Sequence, residues 1–186
     1  RMPSGLTQSR YPSRLTQMLP SWSLHWVFMV ADFLLHTGDS AFAARFVPGI
    51  QSVLAWFRQY KNSAGLLSAL PHWNMTDWTL GWARGVCPGS NQGPTCVINA
   101  QYLHALERAA FVALETGQER EAGRLEEEAA ALRRAMDCAF WSEAEGLYYD
   151  RPGGPELSVY SNAWAILAGV PTAPQVERMM LRFPGD

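Results

Sequence analysis

Val97–Gly117 reads VINAQYLHALERAAFVALETG, and Glu119–Phe140 reads EREAGRLEEEAAALRRAMDCAF. The first segment is apolar nearly all round and rich in Ala, and a helix of that composition must be buried. The second is amphipathic. Ala122, Leu125, Ala129, Leu132 and Met136 fall on one narrow stripe, and the rest is Glu and Arg. The run Glu126-Glu127-Glu128 reads as a solvated outer face. Gly117 stops the first helix. The joint to the second is so short that the chain must fold back, setting an outer helix antiparallel to an inner one.

The same unit recurs on both sides. A helix is expected from Pro20-Ser21, with Ser21 as cap, to Gly38. A second runs from Pro48, a residue suited to a first turn, to about Tyr60. Beyond the opening pair, a fifth runs from about Ser158 to Ala168 and stops at Gly169, and a sixth starts after Pro174. The first and fifth are again apolar nearly all round, so they too are expected to be buried. Leu35-His36-Thr37-Gly38 and Leu114-Glu115-Thr116-Gly117 end equivalent helices with one signature. No segment sustains a two-residue period, although 141–150 reads as a small hairpin turn. The fold class is all-α, an array of about three helical hairpins.

The long connections are 1–21, 61–96 and 141–157, and each precedes an inner helix. Inner helices all run the same way, so these connections collect on one face, at the inner N-terminal ends. Long ordered loops on a rigid scaffold are where sites are built.

Composition narrows the function. Apolar residues make up 48% and charged residues 17% of the 186, as in a globular chain. Net charge is −2 with no Lys/Arg cluster, which argues against nucleic acid and against a polybasic membrane surface. Trp22–Leu35 is too short for a membrane span and carries Asp32 and His25. The three Cys have no metal-type spacing, and neither a metal nor another cofactor is expected. Cys87 and Cys96 bracket a Gly/Pro-rich loop and would pair only in an oxidising compartment; a reducing, cytoplasmic setting is the first expectation and secretion the second. The chain opens on Arg1-Met2-Pro3 and closes on Phe183-Pro184-Gly185-Asp186, ends expected of a segment cut from a longer domain.

Of the eight Trp, Trp73, Trp78 and Trp82 lie within Pro71–Gly85, PHWNMTDWTLGWARG. Asp77 stands between Trp73 and Trp78, with Arg84 nearby. A flat indole covers the apolar C–H face of a sugar ring while a carboxylate accepts from its hydroxyls. The plainer reading is that the Trp residues plug the loop onto the helices and Asp77 caps a turn. Trp22 opens the first inner helix toward the same face, or is simply core. Arg10 and Tyr11 lie in the first loop, at the site or in an ordinary surface turn. Asp32 is read as a buried acid with a partner, His36 as a contact with the helix dipole. Glu143, Glu145, Asp150 and Glu156 are read as solvated turn acids, one of which would face the site on a sharper reading.

Ser4–Ser13 (SGLTQSRYPS), Leu19–Trp26 (LPSWSLHW), Trp73–Trp78 (WNMTDW), Phe140-Trp141 and Gly146–Tyr148 resemble the bacterial α-L-rhamnosidases of the six-hairpin glycosidase group. The order and spacing agree across nearly the whole chain. The resemblance implies an (α/α)6 toroid, of which 1–186 would be part of a single barrel domain. It implies a rhamnoside substrate and hydrolysis with inversion. It assigns Trp22 and Trp78 as stacking faces, Asp77 as hydroxyl acceptor and Trp73 as support or a further stacking face. In this family the general acid precedes the stretch matched by 4–13, and the general base follows that matched by 158–183, so both are expected outside this chain. At Val159-Tyr160 the sequence departs from the Gln-His of relatives, so a polar contact with the sugar from this point, and the exact sugar, are left open. Two rivals stand beside this reading. A different six-hairpin enzyme, such as a glucosidase, a trehalase-like hydrolase or a phosphorylase, would place its acidic motif differently. A non-catalytic α-solenoid would have connections of uniform length and a polar concave face.

Overall fold

The computed structural model describes residues 2, 4–10 and 12–182. The chain runs α1 (Pro20–Thr37), α2 (Ser40–Ala44), α3 (Val47–Arg58), α4 (Cys96–Glu115), α5 (Glu119–Phe140), β1 (Trp141–Ser142), β2 (Leu147–Tyr148), α6 (Val159–Leu167) and α7 (Ala173–Met180). Inner helices α1, α4 and α6 alternate with outer helices α3, α5 and α7, as hairpins require. The element that periodicity misses is α2, five residues capped by the Asp39 carboxylate, which accepts from the Phe42 N–H. The joint after α1 is therefore a helical turn. Ser21 does not cap α1: Leu19 is the cap residue, and Pro20 already sits in the first turn. Strands β1 and β2 form the hairpin expected in 141–150, pairing Trp141 with Tyr148.

Helix α4 is the centre of the molecule. It packs on α5 along its outer side and on α1 and α6 along its flanks. Leu103, Leu106 and Val112 of α4 are fully buried, as are Leu54 and Phe57 of α3 and Met136 and Phe140 of α5. Each such side chain stabilises the fold by roughly 1.5–3 kcal/mol relative to exposure. The Phe57 and Tyr102 rings stack at 5.5 Å, joining α3 to α4.

Of the three inner helices α4 is the most completely buried, although Leu114 near its C-terminal end is exposed. Trp22, Met29, Phe33 and Leu35 of α1 are exposed, and so are Val159 and Leu167 of α6. The expectation of three fully buried helices fails at the two flanking ones, because each has an inner neighbour on one side only. Asp32 is exposed for the same reason and is not a buried acid. His36 is in the last turn of α1.

The outer layer corrects a second expectation. Glu128 is not a solvated acid. It accepts from Arg58 Nε at 2.9 Å and from the Tyr102 hydroxyl at 2.8 Å, with Lys61 Nζ at 3.4 Å, tying α5 to α3 and α4. Burial pushes its pKa up, but Arg58, the Tyr102 hydrogen bond and Lys61 outweigh it, and the carboxyl lies below its ordinary value.

One polar device repeats on the loop face. The fourth residue of each inner helix is a buried polar side chain that grips the connection before it. In α4, Asn99 Oδ1 accepts from the Leu67 N–H at 2.7 Å, and its Nδ2 donates to the Leu67 carbonyl at 3.0 Å. In α6, Asn162 does the same to Tyr148, at 2.8 and 3.0 Å. In α1, Ser23 Oγ accepts from the Thr7 N–H at 3.0 Å. Buried backbone groups must find partners, and these three side chains supply them where the long loops enter the helix layer.

Candidate functional site

The connection 61–96 is a folded excursion with its own anchors. Isolated bridges pair Lys61 with Leu67 and Met75 with Val86. Trp82 is buried against Cys87 and Val97 at the start of α4. The Ser21 hydroxyl donates to the Met75 carbonyl at 2.6 Å, pinning the loop to the N-terminal end of α1. Gly85 makes a close approach to the backbone of the outgoing stretch. Its φ is +69°, and a Cβ there would lie 2.9 Å from the Asp77 carbonyl oxygen. Only a glycine lets the returning strand pass this close behind Asp77.

Asp77 is presented at the surface with both carboxylate oxygens engaged. Oδ1 accepts from the Trp78 N–H at 2.7 Å, and Oδ2 accepts from the Tyr160 hydroxyl at 2.9 Å. The hydrogen bond to Asp77 holds the Tyr160 phenol above its ordinary pKa. The Tyr160 ring packs on Trp82 at 5.5 Å. Tyr160, where the sequence departs from the Gln-His pattern, makes its polar contact with Asp77.

Trp78 is 66% exposed, and Trp73 is half-buried with its ring edge against it at 6.4 Å. Trp73 Nε1 donates to the Arg84 carbonyl at 3.1 Å, and the Arg84 guanidinium lies over the indole at 5.7 Å. Trp73 is therefore the locked element of the pair, and Trp78 offers its surface. A face of that size left to solvent suits a flat apolar ligand surface.

Two further helices contribute. Trp22, in the first turn of α1, is 45% exposed. His25, three residues on and so on the same side of α1, has its ring edge-on to Trp164 of α6 at 5.7 Å. Burial pushes the His25 pKa down, and the negative charge of Asp77 partly opposes this. The structure brings Asp77, Trp78 and Trp73 together on one loop, with Tyr160 on Asp77, and sets Trp22 beside the loop's anchor. Arg10 is not part of this group: its guanidinium donates to Gln17 Oε1 at 3.1 Å. Tyr11 lies outside the described residues. Tyr160, His25 and Trp164 were not singled out as site residues from the sequence. Tyr160 lies in the first turn of α6, and His25 and Trp164 lie in the second turns of α1 and α6.

Of the acids of the third connection, Asp150 is structural, while Glu143 and Glu156 sit in ion pairs that are not buried. Asp150 is buried, accepts from the Ser158 N–H and hydroxyl, and receives the Cys96 N–H on its own carbonyl. It joins the starts of α4 and α6 and is not a solvated turn acid. Glu143 pairs with Arg178, and Glu156 with Arg151. Cys87 and Cys96 are free thiols, both buried, and burial pushes both pKa values up. Among the described residues, no three His, Cys, Asp or Glu converge as a metal site, and no helix is long and apolar enough to cross a membrane.

The class of protein is thus an all-α helical-hairpin array, with its long loops on one face and a carboxylate set among indoles there. The family model for the bacterial alpha-L-rhamnosidase 6 hairpin glycosidase domain matches residues 2–179, and the chain belongs to that family. Comparison with curated proteins finds no match. Among solved structures, a GH78 family rhamnosidase of Bacillus sp. GL1 superposes with a TM-score of 0.79 at 26% identity over 96% of this chain. A rhamnosidase from Klebsiella oxytoca with rhamnose bound gives 0.78 at 19% identity, also over 96%, a likeness of fold alone. This chain spans 18% of the first protein and 34% of the second.

Proposed function

We propose that the intact protein hydrolyses terminal α-L-rhamnosides with inversion, and that residues 1–186, as part of one (α/α)6 barrel, supply walls of its sugar subsite. The observation that carries this reading is the Asp77 carboxylate, oriented by Tyr160 and the Trp78 N–H beside two indoles. A carboxylate with defined lone pairs accepts from ring hydroxyls, and exposed Trp78 covers the apolar side of the ring. Trp22 is a second stacking face. Family membership supports the reaction class and the sugar, and the 26%-identical GH78 rhamnosidase supports them in the same sense. Inversion requires a general acid and a general base roughly 6.5–9.5 Å apart. Both are assigned to parts of the protein outside 1–186, so this segment alone is expected to hold sugar without cleaving it.

The deciding experiment is Asp77→Asn in the full-length protein, assayed on an aryl α-L-rhamnoside. An Asn side chain keeps the shape and loses the charged acceptor. The expected result is a fall in kcat/KM of at least about tenfold, equivalent to ~1.4 kcal/mol of transition-state binding. An unchanged kcat/KM would remove Asp77 from the sugar site. Hydrolysis by residues 1–186 alone would show that the acid and base are not missing from it.

A further inference from the structure

A second concavity of about 550 Å3 opens in the same loop, between its Trp73–Asn74 and Ala83–Gln92 stretches. Trp73 is common to it and to the Asp77–Trp78 wall, but neither Asp77 nor Trp78 lines it. Its size suits one ring of a small ligand. Its walls hold Arg84, His72 and the side-chain amides of Asn74, Asn91 and Gln92, and no carboxylate lines it.

Arg84 is the organised feature. Its carbonyl accepts from Trp73 Nε1, and its guanidinium rests over the Trp73 ring, so main chain and side chain are both held. Its φ is +57°; His72, on the opposite stretch of the wall, has φ +74°. These are the two non-glycine residues with positive φ among the described residues, and both border one concavity. Such strain persists where the surroundings over-determine it, and it clusters at ligand sites. Among the described residues Arg84 forms no ion pair. Asn91 Oδ1 accepts from Asn74 Nδ2 at 3.1 Å, which orients the Asn91 amide and leaves its N–H groups for a ligand. A planar guanidinium with no protein carboxylate to meet is shaped for a bidentate carboxylate from outside.

We propose that this concavity is the leaving-group subsite, and that it takes an acidic sugar: a uronate whose carboxylate pairs with Arg84 and whose hydroxyls meet Asn91 and Gln92. The inference rests on the rhamnoside hydrolysis proposed above. The test compares three substrates of the full-length protein: 4-nitrophenyl α-L-rhamnoside, a rhamnosyl-glucose and a rhamnosyl-glucuronate. In Arg84→Gln, KM for the glucuronate should rise roughly 3- to 10-fold, the size of one charge-assisted contact in a partly solvated cleft. KM for the other two should rise less, by whatever the loss of the Arg84 guanidinium over the Trp73 ring costs all three alike. Arg84→Lys, which keeps the charge and loses the fork, should fall between. Gln adopts the left-handed backbone no less readily than Arg, and equal thermal midpoints would exclude misfolding. Equal KM shifts on all three substrates would make Arg84 structural and overturn the acidic subsite. No shift on any of them overturns it as well. A wild-type protein inactive on all three overturns the underlying hydrolase reading, and the subsite with it.

Discussion

The Tyr160 hydroxyl, at the start of α6, donates to Asp77 Oδ2 at 2.9 Å across 83 residues of chain. Asp77 belongs to a loop between α3 and α4, so this hydrogen bond joins two hairpins over the loop face. With the Trp78 N–H on Oδ1, it leaves the carboxylate one orientation instead of many.

Tyr160→Phe keeps the ring on Trp82 and deletes the hydroxyl. Asp77 is then held on one oxygen only. In the full-length protein, kcat/KM for an aryl α-L-rhamnoside should fall roughly 3- to 10-fold, the worth of about one hydrogen bond to a charged group. The contact is exposed, so the urea midpoint should not move. A lower midpoint with unchanged kinetics would make Tyr160 a packing residue.

Gly85→Ala should damage the same site from behind. The new Cβ meets the Asp77 carbonyl at 2.9 Å and the Met75 side chain at 3.1 Å, at a φ of +69°. Relief requires Asp77 to move. A loss of roughly 1–3 kcal/mol in stability is expected, together with weaker L-rhamnose binding by calorimetry. Full retention of affinity would mean that the loop tolerates a wider approach.

Asn99→Ala removes the grip on Leu67 and leaves a buried N–H and a buried carbonyl without that partner. The expected cost is about 2–4 kcal/mol in urea unfolding. Amide exchange should quicken first in 66–70, where the site loop enters the helix layer. Uniform quickening over α4 instead would show that Asn99 serves the helix and not the loop.

Glu128 predicts an acid limb. Its pKa is lower in the folded state than in the unfolded chain, so the folded protein binds fewer protons around it. The stabilisation is therefore complete above the unfolded value, about 4.3, and is lost as pH falls through the folded value. Glu128→Gln should cost roughly 1–3 kcal/mol at pH 7, and less at an acid pH below the folded value. An equal cost at both pH values would mean that the charge contributes nothing.

The helical-hairpin plan was legible because it depends on local pattern. The stripe Ala122–Met136 and the all-apolar α4 separate outer from inner helices, and Gly38, Gly117 and Gly169 mark helix ends through their positive φ. The order of short and long joints then decides which face collects the loops. Asp77, Trp73 and Trp78 could be singled out because they are close in sequence. Tyr160 could not, since no period or spacing relates residue 160 to residue 77. Glu128 and Asp150 read as surface acids because their partners, Tyr102 and Arg58 for one and Ser158 and Cys96 for the other, come from separate elements.

The sequence by itself determined the helices, their alternation and the loop that bears the indoles, because these follow from hydrophobic period and turn chemistry along a contiguous stretch. Tertiary structure decided which carboxylates bear load, which inner helices keep an open flank, and which hydroxyl orients Asp77. Those outcomes depend on distances between residues far apart in the chain, and only packing sets such distances.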